Sequence, residues 1–98
     1  MKQITAKELE QKLSNGEQLH IIDVREDIEV AAGKIPGVKH IPLGQIPERL
    51  DEIDKNKHYY MVCRSGARSS NACAFLSKEG YNVSNVTGGM MNWNGEVE

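Results

Sequence analysis

The sequence predicts an α/β fold in which helices cover both faces of a mostly parallel sheet. Short runs of strand-forming residues alternate with segments of helical periodicity, which is typical of parallel strands joined by helical crossovers. The chain has 98 residues, the length of one domain rather than two. Because no repeat, linker or low-complexity tract interrupts it, we expect a single domain over residues 1–98.

The first half of the chain begins with a helix signal. Thr5-Ala6-Lys7-Glu8 has the pattern of a capping box and predicts a helix over residues 6–14. Residues 19–24 are rich in β-branched side chains and predict a buried strand. A helical turn at 28–32 and a short strand at 38–41 are expected next.

The second half repeats the alternation. Ile46, Leu50 and Ile53 share one helical face and predict a helix that begins near Pro47. Residues 59–62 have strand composition and run directly into a polar loop. Three further elements are expected: a helix that follows the loop and ends before Gly80, a strand over 83–86 and a terminal helix that starts at 90–93.

Composition excludes several classes of function. The net charge of −2 is too acidic for a protein that binds nucleic acid through bulk charge, and no apolar run approaches the ~18 residues of a membrane span. Two cysteines without a CxxC spacing indicate neither a disulfide framework nor a structural zinc site. The first residues lack the pattern of a secretory signal, so we expect a cytoplasmic protein.

One strand–loop–helix segment carries reactive chemistry. Cys63 follows a strand and precedes a helix, at the edge where parallel sheets bind ligands, and we expect its thiol to be exposed. Loop amides and the helix N-terminus favour a thiolate, and Arg64 and Arg68 add positive charge. Gly66 allows the backbone to turn its N–H inward. The loop is therefore interpreted as a site for a nucleophilic thiolate and a small anion.

These residues resemble the rhodanese homology domain in its small single-domain form. The resemblance spans nearly the whole chain, and its order and spacing agree; Lys34 stands where many members have His. The matching segments are Asp23-Val24-Arg25-Glu26 with Glu29, residues 33–38, Ile41-Pro42-Leu43, Cys63-Arg64-Ser65-Gly66-Ala67-Arg68-Ser69, Gly80, Asn85-Val86, Gly88-Gly89-Met90 and Trp93.

The resemblance implies a five-stranded parallel sheet and a sulfurtransferase that forms a persulfide on Cys63. A small anionic donor such as thiosulfate would supply the sulfur, and cyanide, a thiol or a protein would accept it; no cofactor or metal is implied. Arg64 and Arg68 would receive the donor's oxyanion, while Asp23 and Arg25 would hold the loop or complete its rim. The loop that would bind the persulfide comprises Arg64, Ser65, Gly66, Ala67, Arg68 and Ser69.

Alternative functions remain for the same loop. A cysteine phosphatase or arsenate reductase-like enzyme would need Cys-x5-Arg, but Arg68 stands one place too early for that pattern. The first alternative to the enzyme is a non-catalytic or sulfur-relay rhodanese binding module, although loss of the cysteine usually marks the non-catalytic form and this chain keeps Cys63. Cys73 lies on the apolar face of the following helix, so we expect a packed core thiol there.

Overall fold

Five strands form one parallel sheet in the order β1-β5-β4-β2-β3 in the computed structural model, which describes all 98 residues. Every neighbouring pair of strands runs parallel, so the predicted α/β class is confirmed. The strands are β1 (Lys2–Thr5), β2 (His20–Asp23), β3 (Lys39–His40), β4 (His58–Val62) and β5 (Asn82–Thr87).

Three α-helices and two 3₁₀ helices connect the strands, and a third 3₁₀ helix follows β5. The α-helices are α1 (Ala6–Ser14), α2 (Asp27–Ala31) and α3 (Ala67–Lys78), and the 3₁₀ helices span Leu43–Gln45, Pro47–Glu52 and Gly89–Asn92. In none of these helices is the apolar stretch long enough to cross a membrane.

The predicted capping box opens α1. The Glu8 amide donates to the Thr5 hydroxyl at 3.0 Å, and the Thr5 amide donates to the Glu8 carboxylate at 2.9 Å. Two N–H groups that a helix start leaves unpaired are thereby satisfied. The helix predicted over residues 6–14 is confirmed.

Three local predictions were incomplete or wrong. β1 was not predicted from the residues, because the segment Lys2–Thr5 has a single apolar side chain and pairs only with β5. The helix expected from Pro47 is a 3₁₀ segment, with φ −119° and ψ 25° at Arg49. Pro47 has no N–H, so the turn at Leu43–Gln45 cannot continue into it as an α-helix. The expected terminal helix is also a 3₁₀ turn.

Alternate residues of the strands fill two apolar clusters, one on each face of the sheet. Ile22 and Met61 belong to the cluster that α3 covers with Ala72, Cys73 and Leu76. Their chain neighbours Ile21 and Val62 belong to the cluster that α1 covers with Ala6 and Leu9. This period-2 alternation places helices on both faces, as the sequence predicted.

Candidate active site

The candidate site lies at the carboxyl edge of the sheet, where the central strand β4 ends. Cys63 directly follows β4, and α3 begins four residues later. Gly66 has φ +106°, a left-handed conformation that L side chains rarely adopt, and its position just before α3 turns the chain sharply. The loop therefore closes around the strand end.

The Cys63 sulfur is enclosed by this loop. The Gly66 amide donates to Sγ at 3.0 Å, and the Ser69 hydroxyl oxygen lies 3.3 Å from Sγ. Cys63 is only 1% exposed, so the expectation of an exposed thiol was wrong. The loop covers the sulfur because amides of Ser65, Gly66 and Ser69 turn toward it.

The surroundings of Sγ act on the pKa of Cys63 in opposite directions. Burial raises the pKa, but hydrogen bonds from the Ser69 hydroxyl and from the amides of Ser69, Gly66 and Ser65 lower it. The hydrogen bonds outweigh burial, and the pKa lies below that of an ordinary thiol. This environment favours the nucleophilic thiolate.

Cys73 is also a free, buried thiol, but its neighbours are apolar. Burial raises its pKa to about 12, so it stays protonated near neutral pH. The packed core thiol expected at this position is what the structure contains.

Ser69 and Asn85 form a buried polar pair behind the sulfur. The Ser69 hydroxyl lies 2.6 Å from Asn85 Oδ1, and Asn85 Nδ2 donates to the Gly66 carbonyl at 3.2 Å. Asn85 is on β5, beside Met61 of β4, and sequence reasoning gave it no role. One feature of the sequence could have indicated a role: Asn85 is a polar residue between Val83 and Val86, in a strand that ends at the site.

The segment after β5 supports the loop from the other side. The Met90 amide donates to the Cys63 carbonyl and the Met91 amide to the Arg64 carbonyl, both at 2.9 Å. Gly89 lies so close to these carbonyls that a Cβ there would collide with Cys63 O and stand 2.7 Å from Arg64 O. The Gly88-Gly89 pair therefore brings this segment against the loop.

Asp23 and Arg25 form a buried ion pair beside the loop. Both Nε and Nη2 of Arg25 donate to the Asp23 carboxylate, at 3.1 and 2.9 Å. Arg25 Nη2 also donates to the Gly33 carbonyl at 2.7 Å. Asp23 is paired in the sheet with Val62, the residue before Cys63, so the ion pair connects β2 to the segment after α2 at the edge of the site.

Arg64 and Arg68 differ in their surroundings. Arg68, which the resemblance implied would receive the oxyanion of the donor, forms a two-pronged ion pair with Glu29 of α2 at 2.6 and 2.8 Å, so its charge is already balanced. Arg64 is exposed and has no carboxylate partner. A surface cavity of about 360 Å³ lies beside it, lined by Arg25, Glu29, Ala32, Arg64, Met90 and Met91.

Candidate metal ligands do not cluster in this chain. No group of three or more His, Cys, Asp or Glu side chains is placed to hold a metal ion. The groups available at the site are a thiol whose pKa is lowered, backbone amides, one hydroxyl and an unpaired guanidinium.

Known proteins are similar to this chain in both sequence and fold. A family model described as "Rhodanese-like domain" matches residues 5–96. "Putative sulfurtransferase YtwF" of Bacillus subtilis is 48% identical, with 100% of this chain and 95% of that protein covered. "Putative sulfur carrier protein YrkF" of the same organism is 41% identical, with coverage of 98% and 52%. The crystal structure of a rhodanese-like domain protein from Staphylococcus aureus superposes with a TM-score of 0.94 at 43% identity, covering 100% and 97% of the two chains.

Proposed function

Because the chain belongs to the rhodanese-like domain family, we propose that it is a sulfurtransferase that carries sulfane sulfur as a persulfide on Cys63. Sulfur transfer in general is supported by the relatives named sulfurtransferases. The observation that carries the persulfide proposal is the hydrogen bond of 3.0 Å from the Gly66 amide to Sγ, inside a loop whose amides converge on the sulfur. Such donors favour negative charge on sulfur.

The reaction proceeds in two displacements. The Cys63 thiolate attacks the outer sulfur of a donor such as thiosulfate; a new S–S bond forms, the donor's own S–S bond breaks, and sulfite leaves with its electron pair. The persulfide then carries negative charge on its terminal sulfur. Cyanide or a thiolate attacks that terminal sulfur, and Sγ leaves as the thiolate.

Charged residues around the loop take separate roles in this proposal. Arg64, the unpaired cation beside the cavity, receives the oxyanion of the donor. Arg68, paired with Glu29, anchors the first turn of α3 to α2. The buried Asp23–Arg25 pair holds the rim of the site. Charge-assisted hydrogen bonds of this kind are stronger than neutral ones and fix geometry.

In an alternative form of the proposal, the thiol that accepts the sulfur belongs to another protein. One relative is named a sulfur carrier protein, and Met91, which lines the cavity, is 66% exposed. An exposed, flexible side chain of this type suits contact with a partner protein. In this variant of the proposal, the persulfide is handed to a cysteine of another chain.

Intact-mass measurement after thiosulfate treatment tests the proposal. The protein is expected to gain the mass of one sulfur atom, and dithiothreitol should remove it. Cys63→Ser should abolish the adduct and turnover, because the other thiol is protonated and buried.

Cys73→Ser is the matched control, since it removes the other thiol of the chain. This variant should still form the adduct. If wild type formed no adduct, the non-catalytic binding module would become the better interpretation, and an adduct on Cys73 would refute the role of Cys63.

A further inference from the structure

The Ser69 hydroxyl has one proton and two neighbours that can accept it. Asn85 Oδ1 lies 2.6 Å from the hydroxyl oxygen, whereas Cys63 Sγ lies 3.3 Å away. A hydroxyl donates a single hydrogen bond, so only one of these acceptors can hold the proton at a time. The shorter distance indicates that the proton points to Asn85 in this structure.

The orientation of the Asn85 amide is fixed by its other end. Nδ2 donates to the Gly66 carbonyl at 3.2 Å, so Oδ1 is the atom that faces Ser69. Ser69 and Asn85 are 0% and 4% exposed, and a buried carbonyl oxygen without a donor is costly. Asn85 therefore competes with the sulfur for the same proton.

We propose that Asn85 is a positioning residue for sulfur transfer: its side-chain oxygen holds the Ser69 proton away from Sγ until the sulfur becomes negatively charged. When Cys63 is a thiol, S–H can donate to the Ser69 oxygen while Ser69 donates to Asn85. When the thiol proton leaves to solvent, the Ser69 hydroxyl rotates and donates to Sγ. When the persulfide forms, the charge moves to the terminal sulfur and the hydroxyl returns to Asn85.

The consequence is that Ser69 and Asn85 act on the thiolate with opposite signs. The Ser69 hydroxyl stabilises the thiolate, whereas the Asn85 oxygen favours the thiol by drawing the hydroxyl away. A thiolate that is stabilised less is also a stronger nucleophile, because nucleophilicity rises with pKa. A purely structural role would not produce opposite signs, since loosening the loop removes hydrogen bonds from Sγ in either variant.

Most of the other charged groups around Cys63 are balanced by ion pairs. β2 and the residues that follow it supply Asp23 and Arg25, α2 supplies Glu29, and the loop with the start of α3 supplies Arg64 and Arg68. Four of these five groups form two ion pairs. The strand that carries Asn85, β5, contains no titratable side chain, so replacing Asn85 with an apolar residue changes no charge.

A titration of the Cys63 thiolate by its ultraviolet absorbance tests the proposal in Asn85→Leu, Ser69→Ala and the double variant. Cys73 does not interfere, because its pKa is raised to about 12. The proposal rests on the proposed sulfurtransferase function, but this titration uses no sulfur donor. Failure of the titration and failure of the thiosulfate adduct are therefore distinguishable.

Asn85→Leu is expected to lower the midpoint of the Cys63 titration by roughly 0.5–1 pH unit. Ser69→Ala is expected to raise it by a similar amount. Shifts of this size correspond to the free energy of one hydrogen bond. In the Ser69→Ala background, Asn85→Leu should have no lowering effect, because no proton is left to redirect. If Asn85→Leu fails to fold, Asn85→Ala serves in the same cycle. A raised midpoint in the Asn85 variant, or a shift independent of Ser69, would overturn the proposal.

Discussion

Cys63 and Cys73 are both buried, yet their pKa values move in opposite directions. Ten residues separate them, one at the strand end and one on the apolar face of α3. Burial alone would make both thiols inert. What distinguishes Cys63 is that the Gly66 amide donates to its sulfur and the Ser69 hydroxyl lies 3.3 Å from it, whereas Cys73 lies within an apolar cluster. At the scale of single residues, hydrogen-bond donors rather than exposure separate the pKa values of the two thiols.

Arg64 carries the first residue-scale prediction. Arg64→Ala is expected to lower kcat/KM for thiosulfate by about 1–3 kcal/mol of transition-state stabilisation, because a charge-assisted hydrogen bond is lost. Lys78→Ala is the matched control, since it removes an exposed cation from the far end of α3. Steady-state kinetics of both variants would measure the effect. Equal rates for wild type and Arg64→Ala would show that the donor binds elsewhere.

Glu29 gives a prediction about pH. Hydrogen bonds from Arg68, followed by the Glu26 amide, lower the pKa of Glu29 to about 2 from its ordinary 4.5. A carboxyl whose pKa is depressed by folding stabilises the folded state above its unfolded pKa and loses that effect as pH falls. Wild type should therefore be more stable than Glu29→Gln near neutral pH, and the difference should shrink as pH falls from about 5 to about 2.

Urea unfolding across this range measures the difference. Glu79→Gln is the matched control because Glu79 is exposed and outside every ion pair of the structure, and its difference from wild type should stay small. A difference for Glu29→Gln that did not change with pH would mean that the ion pair with Arg68 does not form in solution.

At the scale of elements, the site depends on the close approach of the Gly89–Asn92 turn to the loop. Gly89→Ala is expected to displace the loop, because its Cβ would collide with the Cys63 carbonyl. We expect a loss of about 1–3 kcal/mol in the free energy of unfolding, as in overpacked sites, together with loss of sulfur transfer.

Gly16→Ala separates the collision from backbone strain. Gly16 also has a positive φ, +84°, but a Cβ there would meet nothing within 4 Å. It should cost about 1–2 kcal/mol of stability for the left-handed conformation and keep full activity. Chemical unfolding and turnover of both variants decide the matter. Full activity in Gly89→Ala would show that this turn does not shape the loop.

The sequence was most informative where the pattern is local. The capping box at Thr5 and the strand–loop–helix around Cys63 can be predicted from neighbouring residues, because the groups that interact lie within a few positions. β1 could not be predicted in this way, since its hydrogen bonds come from β5 at the other end of the chain. No role could be predicted for Asn85 for the same reason: its partners, Ser69 and Gly66, are 16 and 19 residues away.

At the scale of the whole molecule, the strands β2 and β4 contribute side chains to both apolar clusters. Consecutive residues of β2, Ile21 and Ile22, point into opposite clusters, and so do Met61 and Val62 of β4. Neither face can lose its packing without disturbing a strand that the other face requires. The site lies at the end of β4, the strand in the middle of the sheet, so its geometry depends on both clusters.

This organisation predicts cooperative unfolding. A substitution that destabilises the cluster on one face of the sheet should destabilise the cluster on the other face as well. Leu76 is fully buried in the cluster under α3, and Leu76→Ala should lower the free energy of unfolding by about 2–5 kcal/mol. Trp93, the single tryptophan, packs against the opposite cluster. In Leu76→Ala, the urea midpoint followed by Trp93 fluorescence should fall by as much as the midpoint followed by far-ultraviolet circular dichroism. Small domains unfold in one step, so both probes report the same transition. Separate transitions for the two probes would instead show that the faces unfold independently, and the shared strands would then not couple them.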